Sequence, residues 1–208
     1  MRKKTVHLGV YDTLADWEVG YATAHINNGH WQREPHSARV VTVGATTEPV
    51  TTMGGMRITP DVTLDDVTPE DSAMLILPGA DTWLTGGNTE FAAKARTFVE
   101  AGVAVAAVCG ATIGLAAAGL LDDRPHTSNH PAPLAAIGYA GGAHYRDVPA
   151  VRDGNLITAS ATAPVEFARE VLLALDLYEP SVVDSWFKLY GEQDPQGFFE
   201  LAALDGHA

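Results

Sequence analysis

The chain has little that would build an extracellular scaffold, a nucleic-acid binder or a metal site. It contains one cysteine in 208 residues. A single thiol excludes an intramolecular disulfide framework and fits a reducing compartment, so a cytoplasmic location is expected. Basic residues are scarce: 13 Lys and Arg stand against 26 Asp and Glu, a net charge of −13. That balance argues against nucleic acid or an anionic membrane as partner, although acidity also simply keeps a protein soluble. No glycine-rich phosphate loop and no H-E-x-x-H spacing occur; the Gly-Gly pairs at 54, 86 and 141 read as turn formers. His25, His30, Glu34 and His36 lie near one another without tight ligand spacing, so neither a metal nor a cofactor is expected. The basic opening MRKKTVHLGV carries an apolar run too short for a signal peptide, with an acidic helix expected after it. One uncharged run is long, residues 101–121. It is built from Ala, Gly and Val more than Leu and Phe, which suits two buried elements of a sheet protein better than a bilayer span.

Hydrophobic content of 46% and charged content of 19% describe an ordinary globular protein, and the length suits one domain spanning 1–208. Short runs rich in apolar residues predict strands at 5–10, 39–43, 73–77, 103–108 and 156–159. Helices are predicted at 16–28, with Trp17, Tyr21, Ala24 and Ile26 as its apolar positions and Gly29 as its stop, then from a cap at Asn88 to 101, and at 111–120. Pro164 and Glu166 open another at 164–175. Residues 49–59 suggest a hairpin turning at Gly54-Gly55, and 122–152 reads as loop-rich. Strands alternating with helices imply a mostly parallel sheet covered on both faces, a three-layer α/β/α sandwich. No repeat or linker divides the chain. A C-terminal helical extension from about 180 carries Trp186, Phe187, Tyr190, Phe198 and Phe199. It is expected to pack on the domain, with a cover over the site or a dimer contact as weaker roles.

The lone cysteine, Cys109, follows the 103–108 strand and precedes Gly110 and an Ala-rich helix. A side chain there stands at the carboxyl end of a strand, where α/β sheets bind ligands, beside helix amides that favour an anion. Cys109 is therefore a candidate nucleophile; the plain alternative is a small buried hydrophobe.

Four segments in order carry a resemblance: Ala15-Asp16-Trp17-Glu18, Leu77-Pro78-Gly79-Ala80 after a strand, Ala107-Val108-Cys109-Gly110, and Ser128-Asn129-His130-Pro131. Together they resemble the ThiJ/PfpI superfamily, with its class I glutamine amidotransferase-like fold, over roughly residues 5–175. Residues 141–168 look like that family's closing strands and final helix. The DTLADWEVG opening and the aromatic extension look like a bacterial subgroup labelled protease or glutamine amidotransferase. The resemblance implies a flavodoxin/Rossmann-like sandwich with a nucleophile elbow at Cys109. It implies that Glu18, on the first helix, approaches the sulfur. His130 would be the histidine nearest the thiol, with His126 competing for that place. The backbone N–H groups of Ala80 and Gly110 would form an oxyanion hole.

A thiolate needs positive potential to fall below a pKa of about 8.5, and an ionised carboxylate does the reverse. Glu18 is therefore expected to be protonated and to donate to a thiolate, the two titrating as a coupled pair, with Cys109 below a free thiol. The plain alternative for Glu18 is a carboxylate in a helix's first turn. His144 and Tyr145 read as structural.

Departures from the family pattern narrow the chemistry. Protease-like members place a histidine directly after the nucleophile, where this chain has Gly110. True glutaminase domains use a late histidine, where this chain reads Ala159-Ser160-Ala161-Thr162. What remains is a glyoxalase-, hydrolase- or lyase-like enzyme whose Cys109 adds to a small electrophile, such as a reactive aldehyde or amide-like group, with Glu18 and His130 moving protons. The alternative is a redox or stress-response protein whose cysteine is oxidised to sulfinic acid, no second cysteine being present to resolve a sulfenic acid. A domain that binds a ligand without chemistry is a third reading. The expected partners are a small-molecule substrate and a second copy in a homodimer.

Overall fold

A computed structural model of the chain describes residues 4–204. In chain order its elements are β1 (Lys4–Gly9), α1 (Gly20–Asn27), β2 (Ala38–Gly44), β3 (Val50–Thr51), β4 (Arg57–Ile58), β5 (Val62–Thr63), β6 (Met74–Leu77), α2 (Asp81–Leu84), α3 (Thr89–Glu100), β7 (Ala104–Val108), α4 (Gly110–Ala117), α5 (Pro131–Ala136), β8 (Ala150–Asp153), β9 (Leu156–Ala159), α6 (Pro164–Leu175), α7 (Pro180–Tyr190) and α8 (Gln196–Leu204). Seven strands form one sheet in the order β5-β2-β1-β6-β7-β9-β8, parallel throughout except for the β8–β9 edge pair. The runs that lack charge are the central strands, and every residue of β6 and β9 is buried. Leu77 pairs with Ala107, and Val108 with Ala159. That register releases Pro78-Gly79, Cys109 and Ser160 from the same edge of the sheet, which is what assembles the site. The uncharged run 101–121 is divided between β7 and α4, and among the described residues no helix is long and apolar enough to cross a membrane.

Several local expectations give way. The first helix begins at Gly20, so Glu18 sits in the turn before it. The upstream segment is pinned edge-on: Thr13 N–H donates to Thr51 O (2.8 Å), Met53 N–H to Leu14 O (2.9 Å) and Ala15 N–H to Gly79 O (2.9 Å). The inner face of α1 is Ala22 and Ile26, while Trp17 is half exposed and Ala24 faces solvent. Asn88 does precede α3, but its backbone is left-handed (φ 58°) and its side-chain amide donates to Thr82 Oγ1 (2.7 Å) instead of capping the helix. The stretch 122–152 holds α5 and β8 as well as loop.

The C-terminal aromatics divide. Trp186 is buried, at 2% exposure, and its Nε1 donates to His25 Nε2 (2.9 Å), whereas Phe198 and Phe199 lie exposed on α8. The other His25 nitrogen, Nδ1, lies 2.9 Å from Tyr21 O, so the proton sits on Nδ1 and the ring is held neutral. Burial lowers the pKa of His25 below its ordinary value, and does the same for His7 and His126. A lowered histidine pKa gives stability that is complete above the unfolded value, near 6.5, and is lost as pH falls below it. The unfolding midpoint is thus expected to fall between roughly pH 7 and pH 5, and to fall less steeply in His25→Gln. Equal slopes in denaturant titrations of the two proteins would place the titration elsewhere.

Candidate active site

Cys109 occupies the elbow between β7 and α4 with φ 57° and ψ −125°, a conformation that a non-glycine residue adopts only when its surroundings impose it. They do so from both sides. Its N–H donates to Ala159 O (3.0 Å), which holds the end of the β7–β9 ladder. Its carbonyl accepts from Thr112 N–H (3.1 Å) and from Thr112 Oγ1 (2.6 Å), and that hydroxyl also meets Ser128 Oγ at 2.7 Å. The loop after residue 126 is thereby tied to the elbow.

Glu18 is 0% exposed and reaches the same point from the turn before α1. Its Oε2 accepts the Gly79 N–H at 2.6 Å, while Oε1 is buried with no hydrogen-bond partner among the described residues. Gly79 lies between the two groups. A Cβ there would come within 2.6 Å of Cys109 Cβ and 2.8 Å of both Glu18 oxygens, so only glycine fits. The preceding carbonyl, Pro78 O, accepts from Tyr11 Oη (2.5 Å) and Trp83 Nε1 (3.1 Å), which fixes the loop that presents Gly79.

A third side chain completes the shell. Asn129 Nδ2 donates to Cys109 Sγ at 3.0 Å. Its Oδ1 accepts from Ala161 N–H at 2.8 Å, and that bond sets which end of the amide faces the sulfur. The Gly110 N–H, first in α4, also points at the sulfur. No backbone hydrogen bond takes up the Ala80 N–H among the described residues, and a Cβ built on Gly110 would lie 3.6 Å from Ala80 N. Ala80 and Gly110 thus lie close together at the elbow.

Burial pushes the Cys109 thiol up to about 11, and the Glu18 carboxylate adds to the rise; Asn129 and the Gly110 amide offset only part of it. Burial likewise raises Glu18, with the Gly79 amide and the thiol pulling back. This reverses the expected direction for Cys109. The helix contributes a single amide to the sulfur, too little to outweigh burial and the adjacent carboxylate. Both groups are thus pushed toward their neutral forms, and the Glu18 carboxylate becomes the stronger base for it. Tyr11 is held well above its ordinary pKa by burial and by these two groups, so it stays a neutral donor.

The histidines lie elsewhere in the hydrogen-bond network. His130 is exposed, its Nδ1 accepts Ala132 N–H (3.1 Å) to cap α5, and it makes no hydrogen bond to Cys109 among the described residues. His126 is buried, with Nδ1 on Arg124 O (2.8 Å) and Nε2 on Tyr139 Oη (3.1 Å). The motif Ser128-Asn129-His130-Pro131 located the right loop, but Asn129 is the residue that meets the sulfur. Tyr11 carries no sequence signal, because the Pro78 carbonyl it shares with Trp83 lies 67 residues away along the chain. Among the described residues no three His, Cys, Asp or Glu side chains are grouped to hold a metal ion. The large apolar cavity, about 390 Å³, lies behind Trp83 among α2, α3 and α4 and is lined by none of Cys109, Glu18 and Asn129.

Residues 4–174 match the family model described as the DJ-1/PfpI family. A Bacillus subtilis protein named uncharacterized protease YoaZ is 43% identical over 204 residues, 97% of each chain. Among solved structures, a thiJ/pfpI family protein from Bacillus anthracis is 42% identical with a TM-score of 0.90, covering 97% of this chain and 96% of that one. A DJ-1 superfamily protein, Atu0886, from Agrobacterium tumefaciens is 32% identical with a TM-score of 0.81, covering 91% and 98%.

Proposed function

Given that the chain belongs to the DJ-1/PfpI family, we propose that its Cys109 adds to the electrophilic carbon of a small carbonyl compound while Glu18 takes up the thiol proton. The observation that carries this reading is the buried Glu18 carboxyl, with one oxygen fixed by Gly79 and the other unpartnered, both packed against the glycine that adjoins Cys109. A carboxylate whose pKa is raised by burial is a better base than an exposed one, and it sits where the proton must go. In the addition a sulfur lone pair forms the C–S bond, the C=O π pair moves to oxygen, and the S–H proton passes to Glu18. The Ala80 and Gly110 N–H groups would receive the oxyanion, and reprotonation from Glu18 would yield a hemithioacetal. Glyoxalase-, hydrolase- and lyase-type outcomes all begin with this step.

Two alternatives are less well supported. Peptide cleavage, the activity in the Bacillus subtilis relative's name, must protonate a leaving amine; here residue 110 is glycine and His126 is fully hydrogen-bonded. Peroxide oxidation needs a thiolate, which burial and Glu18 disfavour. The test is consumption of a 2-oxoaldehyde such as methylglyoxal by the full chain. Wild type is expected to turn it over, and Cys109→Ser to lose about 10³-fold or more. Equal rates in the two proteins would sink the proposal.

A further inference from the structure

Trp17 and Glu18 are neighbours in sequence but make their contacts to two different loops around Cys109. Glu18 points inward to Gly79 and the sulfur and is fully buried. Trp17 points outward, 50% exposed, and its Nε1 donates to Ala161 O at 3.0 Å, in the loop that follows β9. The N–H of that same Ala161 holds Asn129 Oδ1 at 2.8 Å, and Asn129 Nδ2 holds Cys109 Sγ at 3.0 Å. The indole thus bridges from the turn on one side of the sulfur to the loop on the other. Nothing in the core depends on it: a half-exposed ring on a turn contributes little to packing.

We infer that Trp17 is a strap across the mouth of the site, a specificity-determining residue that admits compact electrophiles to Cys109 and turns away bulky ones. The inference deepens the proposed function, since it rests on a reactive Cys109, but it requires no turnover. The strap is held by one neutral hydrogen bond at the protein surface, so it yields to a substrate that fits beneath it without being rebuilt. Compact carbonyl compounds of a few carbons are the class that passes; aryl or branched ones are excluded.

Because Cys109 is the sole thiol, the strap can be tested by labelling alone. N-methylmaleimide and N-phenylmaleimide react by the same addition and differ in bulk, so their rate ratio cancels any change in thiol activation. Wild type is expected to prefer the methyl reagent by about tenfold or more over the ratio shown by N-acetylcysteine. Trp17→Ala should bring the ratio close to that of N-acetylcysteine, and Trp17→Phe, which keeps a ring but loses the N–H that holds it, should give a ratio between the two. Circular dichroism of each variant checks that the fold is kept, and Trp17→Leu serves if Trp17→Ala does not fold. An unchanged ratio in Trp17→Ala, with labelling intact, overturns the strap and leaves the reactive thiol standing. Absence of labelling by either reagent overturns both.

Discussion

Glu18→Gln is expected to reduce turnover of a small carbonyl substrate by about 10²–10⁴-fold while making the Cys109 thiol easier to ionise. The two effects run in opposite directions because the carboxylate has two roles. As a base it accepts the thiol proton, which an amide cannot do. As an anion beside the sulfur it helps hold the thiol up near 11, and its removal lets the pKa fall. Glutamine keeps the side-chain volume and a carbonyl oxygen for the Gly79 N–H, so the pocket need not collapse. Alkylation by iodoacetamide near neutral pH should therefore be faster in the variant than in wild type, although catalysis is lost. A variant slow in both assays would mean that Glu18 had been stabilising a thiolate.

Gly79→Ala should produce the other large effect. The new methyl would stand 2.6 Å from Cys109 Cβ and 2.8 Å from both Glu18 oxygens. Neither neighbour can give easily: Cys109 is locked at φ 57° by hydrogen bonds on both sides, and Glu18 is fully buried. Overpacking of this kind costs about 1–3 kcal/mol, visible as a lower unfolding midpoint. The thiol and carboxyl are also forced apart, so turnover should fall even where the protein remains folded. Gly20→Ala is the matched control, because a Cβ there meets nothing within 4 Å. If Gly79→Ala behaved like Gly20→Ala in both stability and turnover, the contact between thiol and carboxyl through this glycine would not be as described.

Much of this was legible in the residues. The central strands announce themselves as runs without charge, and a cysteine followed by glycine at the end of one of them marks the elbow. Glu18 was legible as a companion of Cys109 but not its setting, because the start of α1 is decided by hydrogen bonds to Thr51 and Gly79, remote in sequence. Asn129 displaced His130 at the sulfur for a similar reason: a contact with Ala161, across the sheet edge, decides which side chain of that loop turns inward. The strands β5 and β8 and the helix α2 are two to four residues long, too short for a periodic pattern to emerge. The direction of the thiol's pKa is not legible in the sequence, because helix amides follow from position whereas burial depends on everything packed around the site.

In the proposed mechanism a thiol and a carboxylate share one proton at rest, with the proton on sulfur. Its most direct test is the pH dependence of Cys109 alkylation in wild type and in Glu18→Gln. Wild type should show a rate still climbing at about pH 10, and the variant a midpoint shifted clearly downward toward that of an ordinary thiol. A wild-type midpoint below that of free cysteine, or one that Glu18→Gln leaves unmoved, would contradict it.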